Sequence, residues 1–579
     1  MKRLFFLFTV LVHLSAQTPI EEATSTFSKL PSWTVADCVS PISGQYFISE
    51  NDLVVRGAQP LPLPRNYLSL DQYGKGGWSD RNHLLLKARK VGNNYFYFST
   101  HDVSGIPLIF GDKHASKHHA KKFYLNREIY EGTLLNTAIG EVGGRTNLKN
   151  AYADFSGDAC RVHMPDGTVR IYGKKLKKTK SSSYIFGDQK LRTIHSYRYC
   201  LTEERLPNGN RIFYSWTTNP KYTVLKSVYS SGPRKNSVYA VAIYNDDEIV
   251  TSDGRKERKG FEEGQRQIAS LEITGKPKEL FTYTDRRMSR RAFSEGPYVE
   301  ITYNEKKIVP FENEDRSKGK NYREWGQKVV WPSNTVKQIA NSRGVYQLNY
   351  KGPSSDITKE IEAIDPEGGK TLYQLGKKKF PKRLIYTNQK GEKTREIEYE
   401  WAQGNLLSLT YKTREGKPYK TVEYEYDNKH NITKEILRGD HRGFGGCEKS
   451  VTEYQYNAKH LPIFKKDPSG KITRTTYWKE TALPASILTG DSEKIYKRQF
   501  FTYNEDYILI QQIRDDGASE DPENLKEVTT RKIRRIKPHR AGESSTKIAP
   551  IPALNLPEEI ADYYYDSKKQ KEILLKKKH

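Results

Sequence analysis

Between residues 399 and 503 apolar and polar positions alternate with a period of two. Tyr424-Glu-Tyr426-Asp427 and Tyr454-Gln-Tyr456-Asn457 place an aromatic residue at every second position, with Glu or Gln between. Successive side chains of a strand point to opposite faces, so the pattern predicts half-buried β-strands. Asp427-Asn-Lys-His430 and Asp467-Pro-Ser-Gly470 separate them. This is turn chemistry: Asp bonds its own backbone, Pro presets φ and Gly supplies positive φ. The unit is a hairpin, and it recurs. Tyr399, Tyr424, Tyr454, Tyr477 and Tyr503 follow at intervals of 25, 30, 23 and 26 residues. Fainter copies lie at Tyr283, Tyr303, Tyr350 and Tyr386, with turns at Asp365-Pro-Glu-Gly368 and Gln389-Lys-Gly391. Such a period marks units that bury an apolar face only by stacking on neighbours. The expected fold class is all-β: stacked antiparallel hairpins forming a curved, shell-like sheet.

Composition fits a thin wall. Hydrophobic residues make up 35% and aromatics 12%, with 39 tyrosines. A Tyr ring packs on its neighbours while its hydroxyl still reaches a polar partner or water. Lys and Arg number 97 against 70 Asp and Glu, a net charge of +27. That balance favours acidic partners. The excess is spread through Lys-rich turns, however, and specific nucleic-acid binding is not expected.

The first residues read as a secretory signal peptide. Lys2-Arg3 is a basic start, Leu4 to Leu14 an apolar run of 11 residues, and Ser15-Ala16-Gln17 a small-residue cleavage site. That run is short of the roughly 20 residues a spanning helix needs, and no later stretch is long and apolar enough, so the mature chain is expected to carry no transmembrane span. The expected location is the bacterial periplasm, cell surface or exterior. Cys38, Cys160, Cys200 and Cys447 would then meet an oxidising space, where four cysteines allow three full pairings and the sequence selects none.

From Cys38 onward a series of small and aromatic residues appears in fixed order. It runs Pro41, Gly44, Asp52-Leu53, Gly57, Pro60-Leu61-Pro62-Leu63, Arg65-Asn66-Tyr67 and Gly76-Gly77-Trp78-Ser79. The series closely resembles the head segment of Rhs proteins, the polymorphic-toxin family built on YD repeats. Gly416, Tyr424, Tyr426 and Asp427 match that family's repeat, with His430, Asn431 and Ile432 in its Gly-Arg-Leu places. In the next copy Tyr454, Tyr456 and Asn457 keep the frame, while His460, Leu461 and Pro462 depart from it. The resemblance implies spirally stacked hairpins forming a hollow shell around a toxic domain. The family's closing segment, with paired Asp-Pro-x-Gly motifs and a self-cleavage site, is not found here.

The expected organisation is a signal peptide at 1–17, a linker at 18–37 and the head segment at 38–125. Degenerate hairpin repeats with basic insertions occupy 126–333, the regular array 334–515 and a basic, partly flexible tail 516–579. Within the tail, Glu558 to His579 reads as a helix bearing Ile560, Tyr564, Ile573, Leu574 and Leu575.

No catalytic, cofactor or metal site is assigned. Gly368-Gly369-Lys370-Thr371 imitates the end of a phosphate-binding loop, but Ile364 stands where its first Gly belongs, and a hairpin turn is expected. His114, His118 and His119 lie among Lys113, Lys117, Lys121 and Lys122, which repel a cation, so a solvated basic loop is expected. Glu262-Glu263 and Asp515-Asp516 are adjacent pairs whose members would face opposite sides of a strand, not converge as general acid and base. The expected function is a secreted, non-catalytic scaffold, part of a β-shell for toxin encapsulation or delivery. Its partners would be an enclosed cargo or a chain that completes the shell. The alternative is a cell-surface adhesin that binds an acidic glycan or receptor.

Overall fold

The computed structural model describes residues 34–578 apart from 43, 70–76, 79–83, 92–93, 102–106, 111–121, 125–150, 157–158, 165, 185–190, 219–222, 235–236, 246, 262–266, 306, 311–326, 331–333, 352–359, 377–380, 403–404, 440–447 and 541–553. The fold is all-β, and the described residues contain no helix long and apolar enough to cross a membrane. From Lys122–Tyr124 to Lys571–Lys578 almost every strand pairs antiparallel with its neighbours in sequence. The wall branches once. One edge of the long strand Leu191–Arg205 takes Val169–Tyr184; the other is shared between Leu85–Val91, opposite residues 194–200, and Arg211–Thr218, opposite residues 203–205. The strand order rolls round as a barrel-like wall. Its last strand, Lys571–Lys578, pairs with Pro557–Asp566, and among the described residues no residue-by-residue ladder carries it on to Leu85–Val91.

The turns close as their side chains dictate. Asp427 Oδ1 accepts from the Lys429 and Asn431 amides at 2.8 and 2.9 Å, and Asn457 and Asp467 repeat the arrangement. The fourth turn residue must take positive φ. Gly470 does so without cost, while His430 and His460 do so at φ 63°, in the place the repeat gives to Gly. Each His ring meets an Asn of the preceding turn: His430 Nδ1 lies 3.1 Å from Asn405 Nδ2, and His460 Nδ1 3.1 Å from Asn431 Nδ2.

The recurring aromatic is a staple. Tyr426, Tyr456, Tyr477 and Tyr503 each end a strand and donate their hydroxyl to the carbonyl of Leu406, Ile432, Pro462 and Pro484, at or beside the start of the preceding strand. Tyr283, Tyr303 and Tyr350, at or one residue before a strand end, bond Ile268, Met288 and Val336 in the same way, and the indoles of Trp216 and Trp401 donate to Leu201, inside the preceding strand, and to Pro381. These nine bonds span 2.6–3.0 Å. The register accommodates six of them: the ladder to the preceding strand ends three residues before Tyr283, Tyr303, Tyr426, Tyr456, Tyr477 and Tyr503, and a bulge at the same Tyr shifts its pairing to the following strand by one. Burial raises the hydroxyls of Tyr303, Tyr350, Tyr426, Tyr456 and Tyr503, and that of Tyr477 to about 12, so these remain protonated donors. Tyr503→Phe leaves the buried Pro484 carbonyl without its donor and is expected to cost about 1–3 kcal/mol, read from the shift in denaturant midpoint. An unchanged midpoint would remove the staple from the account.

Opposed residues of antiparallel strands share a face, so each face can be followed through the register. Tyr373, Leu384, Ile397 and Tyr411 lie on one face, as do Leu409, Val422 and Leu437. Most of these belong to or pack against the main core, which also takes in the head segment. Lys465, Thr473, Thr489 and Lys497 continue that face. A second core of Leu488, Phe500, Ile513 and Ile533 lies one residue out of step, on the opposite face. The apolar side of the sheet therefore changes over before its last strands.

The final segment corrects the helical expectation for residues 558–579. Pro557–Asp566 and Lys571–Lys578 form a hairpin that extends the wall. Tyr563, Tyr564 and Tyr565 favour a pleated surface, and Asp566 closes the turn by accepting from the Lys568 and Lys569 amides.

Candidate functional site

Two polar junctions hold the wall in shape. The first seats the head, a sheet of Val39–Ser40, Gln45–Val55, Leu61–Leu68 and Gly77–Trp78. Arg65 is 1% exposed at its centre. Its Nε donates to Asp52 at 2.6 Å, and its Nη2 reaches Glu50 at 3.1 Å and Glu279 of the wall at 3.2 Å. The guanidinium lies over Trp78 and Phe281, 5.1 and 5.6 Å from the ring centroids. Arg291 closes the network onto Glu50 and Glu279 at 2.8 and 3.0 Å. Burial pushes the Asp52 carboxyl above its ordinary value against the pull of Arg65. Around this centre Trp78 donates to Tyr283, and the Met288 amide donates to Tyr67. Gly57 is dictated by contact, since a Cβ there would fall 2.1 Å from the Tyr239 carbonyl oxygen.

The second junction is a seam where the wall meets itself. Arg234 Nε donates to Asp506 at 2.6 Å across 272 residues of sequence. Ser237 and Asn555 donate to the same carboxylate at 3.1 and 2.9 Å, and Asn555 also reaches Tyr239 Oη at 3.0 Å. Burial opposes the Asp506 charge, yet Arg234 and Asn555 outweigh it and hold the carboxyl below its usual value. The Ala482 amide donates to the Pro207 carbonyl at 2.8 Å. Gly209, at φ 86°, lies against Tyr507 so closely that a Cβ would come 2.2 Å from the ring.

The acids named at the two junctions each face a guanidinium or hydrogen-bond donors, an arrangement suited to clamping. Gly368 occupies the Asp365–Gly369 turn at φ 83°, a hairpin turn. Asp515 is buried against Arg498, while its neighbour Asp516 accepts from Thr529 and Thr530. His114, His118, His119, Glu262, Glu263 and Cys447 lie outside the described residues. Cys38, Cys160 and Cys200 are not joined to one another, and burial pushes the Cys38 thiol up to about 12. Among the described residues no three His, Cys, Asp or Glu converge as metal ligands. Sequence reasoning took Arg65 and Tyr67 only as part of a series and missed Arg234, Asp506 and Asn555, since nothing local marks a partner 272 residues away.

The class these features define is an all-β repeat wall with a docked head sheet. No protein-family model matches the chain, and no curated protein matches it in sequence. Among solved structures it is similar to TcdB2-TccC3, with a TM-score of 0.27 and 9% identity over 88% of this chain and 30% of that one. It is also similar to the Tc holotoxin pore of Photorhabdus luminescens, with a TM-score of 0.22 and 10% identity over 87% and 27%. The N-terminal domain of the effector SpvB from Salmonella typhimurium gives 0.19 and 9% over 55% and 98%. The chain spans less than a third of the first two structures. TM-scores of this size do not define a fold, which rests here on the strand pairing itself.

Proposed function

We propose that the chain is a secreted, non-catalytic β-repeat scaffold of the Rhs and YD-repeat kind, forming part of a shell that encloses or delivers a toxic cargo. The observation that carries this reading is the seam: a wall whose later hairpins return onto hairpins some 270 residues earlier curls round on itself. The head sheet docked on one face gives that wall an occupied side. The remaining partner is the cargo itself or a chain that continues the wall.

Small-angle X-ray scattering on the full chain tests the reading. The expected pair-distance distribution is weighted to long distances, with a shell-like form factor. An open, elongated profile for the native chain would sink it. The double variant Gly209→Val/Arg234→Ala drives a side chain into Tyr507 and removes the clamp on Asp506. It is expected to raise the radius of gyration while the far-ultraviolet β-signal persists; an unchanged radius would mean that the seam does not hold the wall closed.

A further inference from the structure

The two faces of the repeat array differ in how their charges are satisfied. Across the strands from Pro381–Thr387 to Ile432–Gly439, the face opposite the main core is laced with ion pairs. Arg383 pairs with Glu396, Lys412 with Glu398, Arg438 with Glu423 and Lys434 with Glu425. The other face, which at the head junction carries Glu279, Phe281 and Arg291, is built differently. Along the array three of its cations lie over a tyrosine: Arg395 over Tyr386 at 4.0 Å, Lys420 over Tyr411 at 5.3 Å and, farther along, Lys465 over Tyr454 at 5.9 Å. None of the three forms an ion pair among the described residues. Arg395 and Lys465 are exposed and Lys420 is half-buried. Glu435, opposite Tyr424, is the one carboxylate on that face among the described residues from Pro381–Thr387 to Ile432–Gly439, and the register places Glu448 on it in the next strand.

We propose that this face is a docking surface for an acidic polypeptide segment. Charge complementarity names the partner's sign, because three cations on one face form no ion pair and outnumber Glu435 and Glu448, the carboxylates that the register places there. Ring geometry names its class. Bases and sugars bind tyrosine by stacking on an open ring face, and here cations already occupy those faces. Carboxylates need no ring: they reach the outward side of each cation and the Tyr hydroxyls beside it. Five strand spacings separate Lys393–Ala402 from Pro462–Lys466, about 24 Å, which an extended segment of about seven residues would cross. Beyond Gly439 the opposite face also carries Lys449, Lys466 and Arg474, so charge alone does not mark the site there; the tyrosine stacks do. The surface does not depend on whether the wall closes into a shell.

Fluorescence anisotropy of the full chain with a labelled octaglutamate peptide tests the proposal, with an eight-nucleotide oligothymidylate as comparator. The triple variant Arg395→Gln/Lys420→Gln/Lys465→Gln is expected to weaken peptide binding about tenfold or more. The charge-matched triple Lys449→Gln/Lys466→Gln/Arg474→Gln on the opposite face should change it less than about twofold. Equal weakening by both triples would reduce the effect to net charge and overturn the site. So would an oligonucleotide that binds more tightly than the peptide and loses affinity with the first triple, or a native chain that binds no peptide. If the first triple fails to fold, Lys465→Glu alone is titrated, and undiminished peptide binding overturns the proposal.

Discussion

Arg498→Met is expected to unfold the last strands locally, at a cost of about 3–5 kcal/mol, the range for breaking a buried ion pair by removing one partner. Arg498 is fully buried. Its Nε and Nη2 hold Asp515 at 2.5 and 3.0 Å, Nη1 donates to the carbonyls of Ser519 and Asp521, and Nη2 to that of Asn524. One side chain therefore fixes the loop 516–530 over the second core. Gly517 leaves room for it, since a Cβ there would come 2.6 Å from the guanidinium. Methionine restores volume but strands a carboxylate and three carbonyls; Arg531, 3.5 Å from Asp515, relieves only part of this. The expected readout is faster amide exchange across residues 484–538 and new tryptic cleavage within 516–530, with the hairpins at 405–439 unaffected. Arg498→Met/Asp515→Leu should recover much of the loss by removing the stranded charge. A double variant no better than the single one would assign the effect to loop packing.

Arg65→Met is expected to release the head sheet by a similar mechanism, with a dependence on pH that identifies it. Arg291 still holds Glu279 and Glu50, so Asp52 is the carboxylate left stranded, already raised by burial in the native protein. A carboxyl whose value in the folded protein exceeds that in the unfolded chain takes up a proton on folding. The deficit is thus absent below the unfolded value, appears as pH rises through it and is complete above the folded value. Denaturant midpoints of variant and native chain should converge in acid and separate toward neutral pH. A gap of the same size at both ends would show that lost packing on Trp78 and Phe281, not charge, sets the cost.

Much of the array was legible because its signals are local. Alternation located the strands, and Asp427, Asn457 and Asp467 located the turns. Even the departures from the repeat were readable, since His430 and His460 stand in the Gly place and adopt its backbone. The staple was half legible: Tyr424 and Tyr454 attract attention, yet Tyr426 and Tyr456 make the bond, and Trp216 and Trp401 do the same work without the expected residue. The terminal hairpin was misread because Ile560, Tyr564, Ile573 and Leu574 suit either period over so short a run. The changeover of the apolar face was invisible, since Leu488, Phe500 and Ile513 alternate like any other strand residues and only the register shows which side they occupy. Arg65 and Arg498 resemble any surface arginine in a basic chain until their burial is known.

The distances in sequence at the two junctions also set an order in time. Neighbouring hairpins pair locally, so the wall can grow strand by strand as the chain emerges. The head cannot follow that rule, because Arg65 and Tyr67 wait for Glu279 and Met288, 214 and 221 residues later. At synthesis rates of about 5–20 residues per second that is roughly 10–45 s. The seam waits longer still, since Asn555 must arrive before Asp506 and Tyr239 are joined. Hairpins first, head second and seam last is the sequence of events these contacts impose, and through most of it the head's apolar face has no cover.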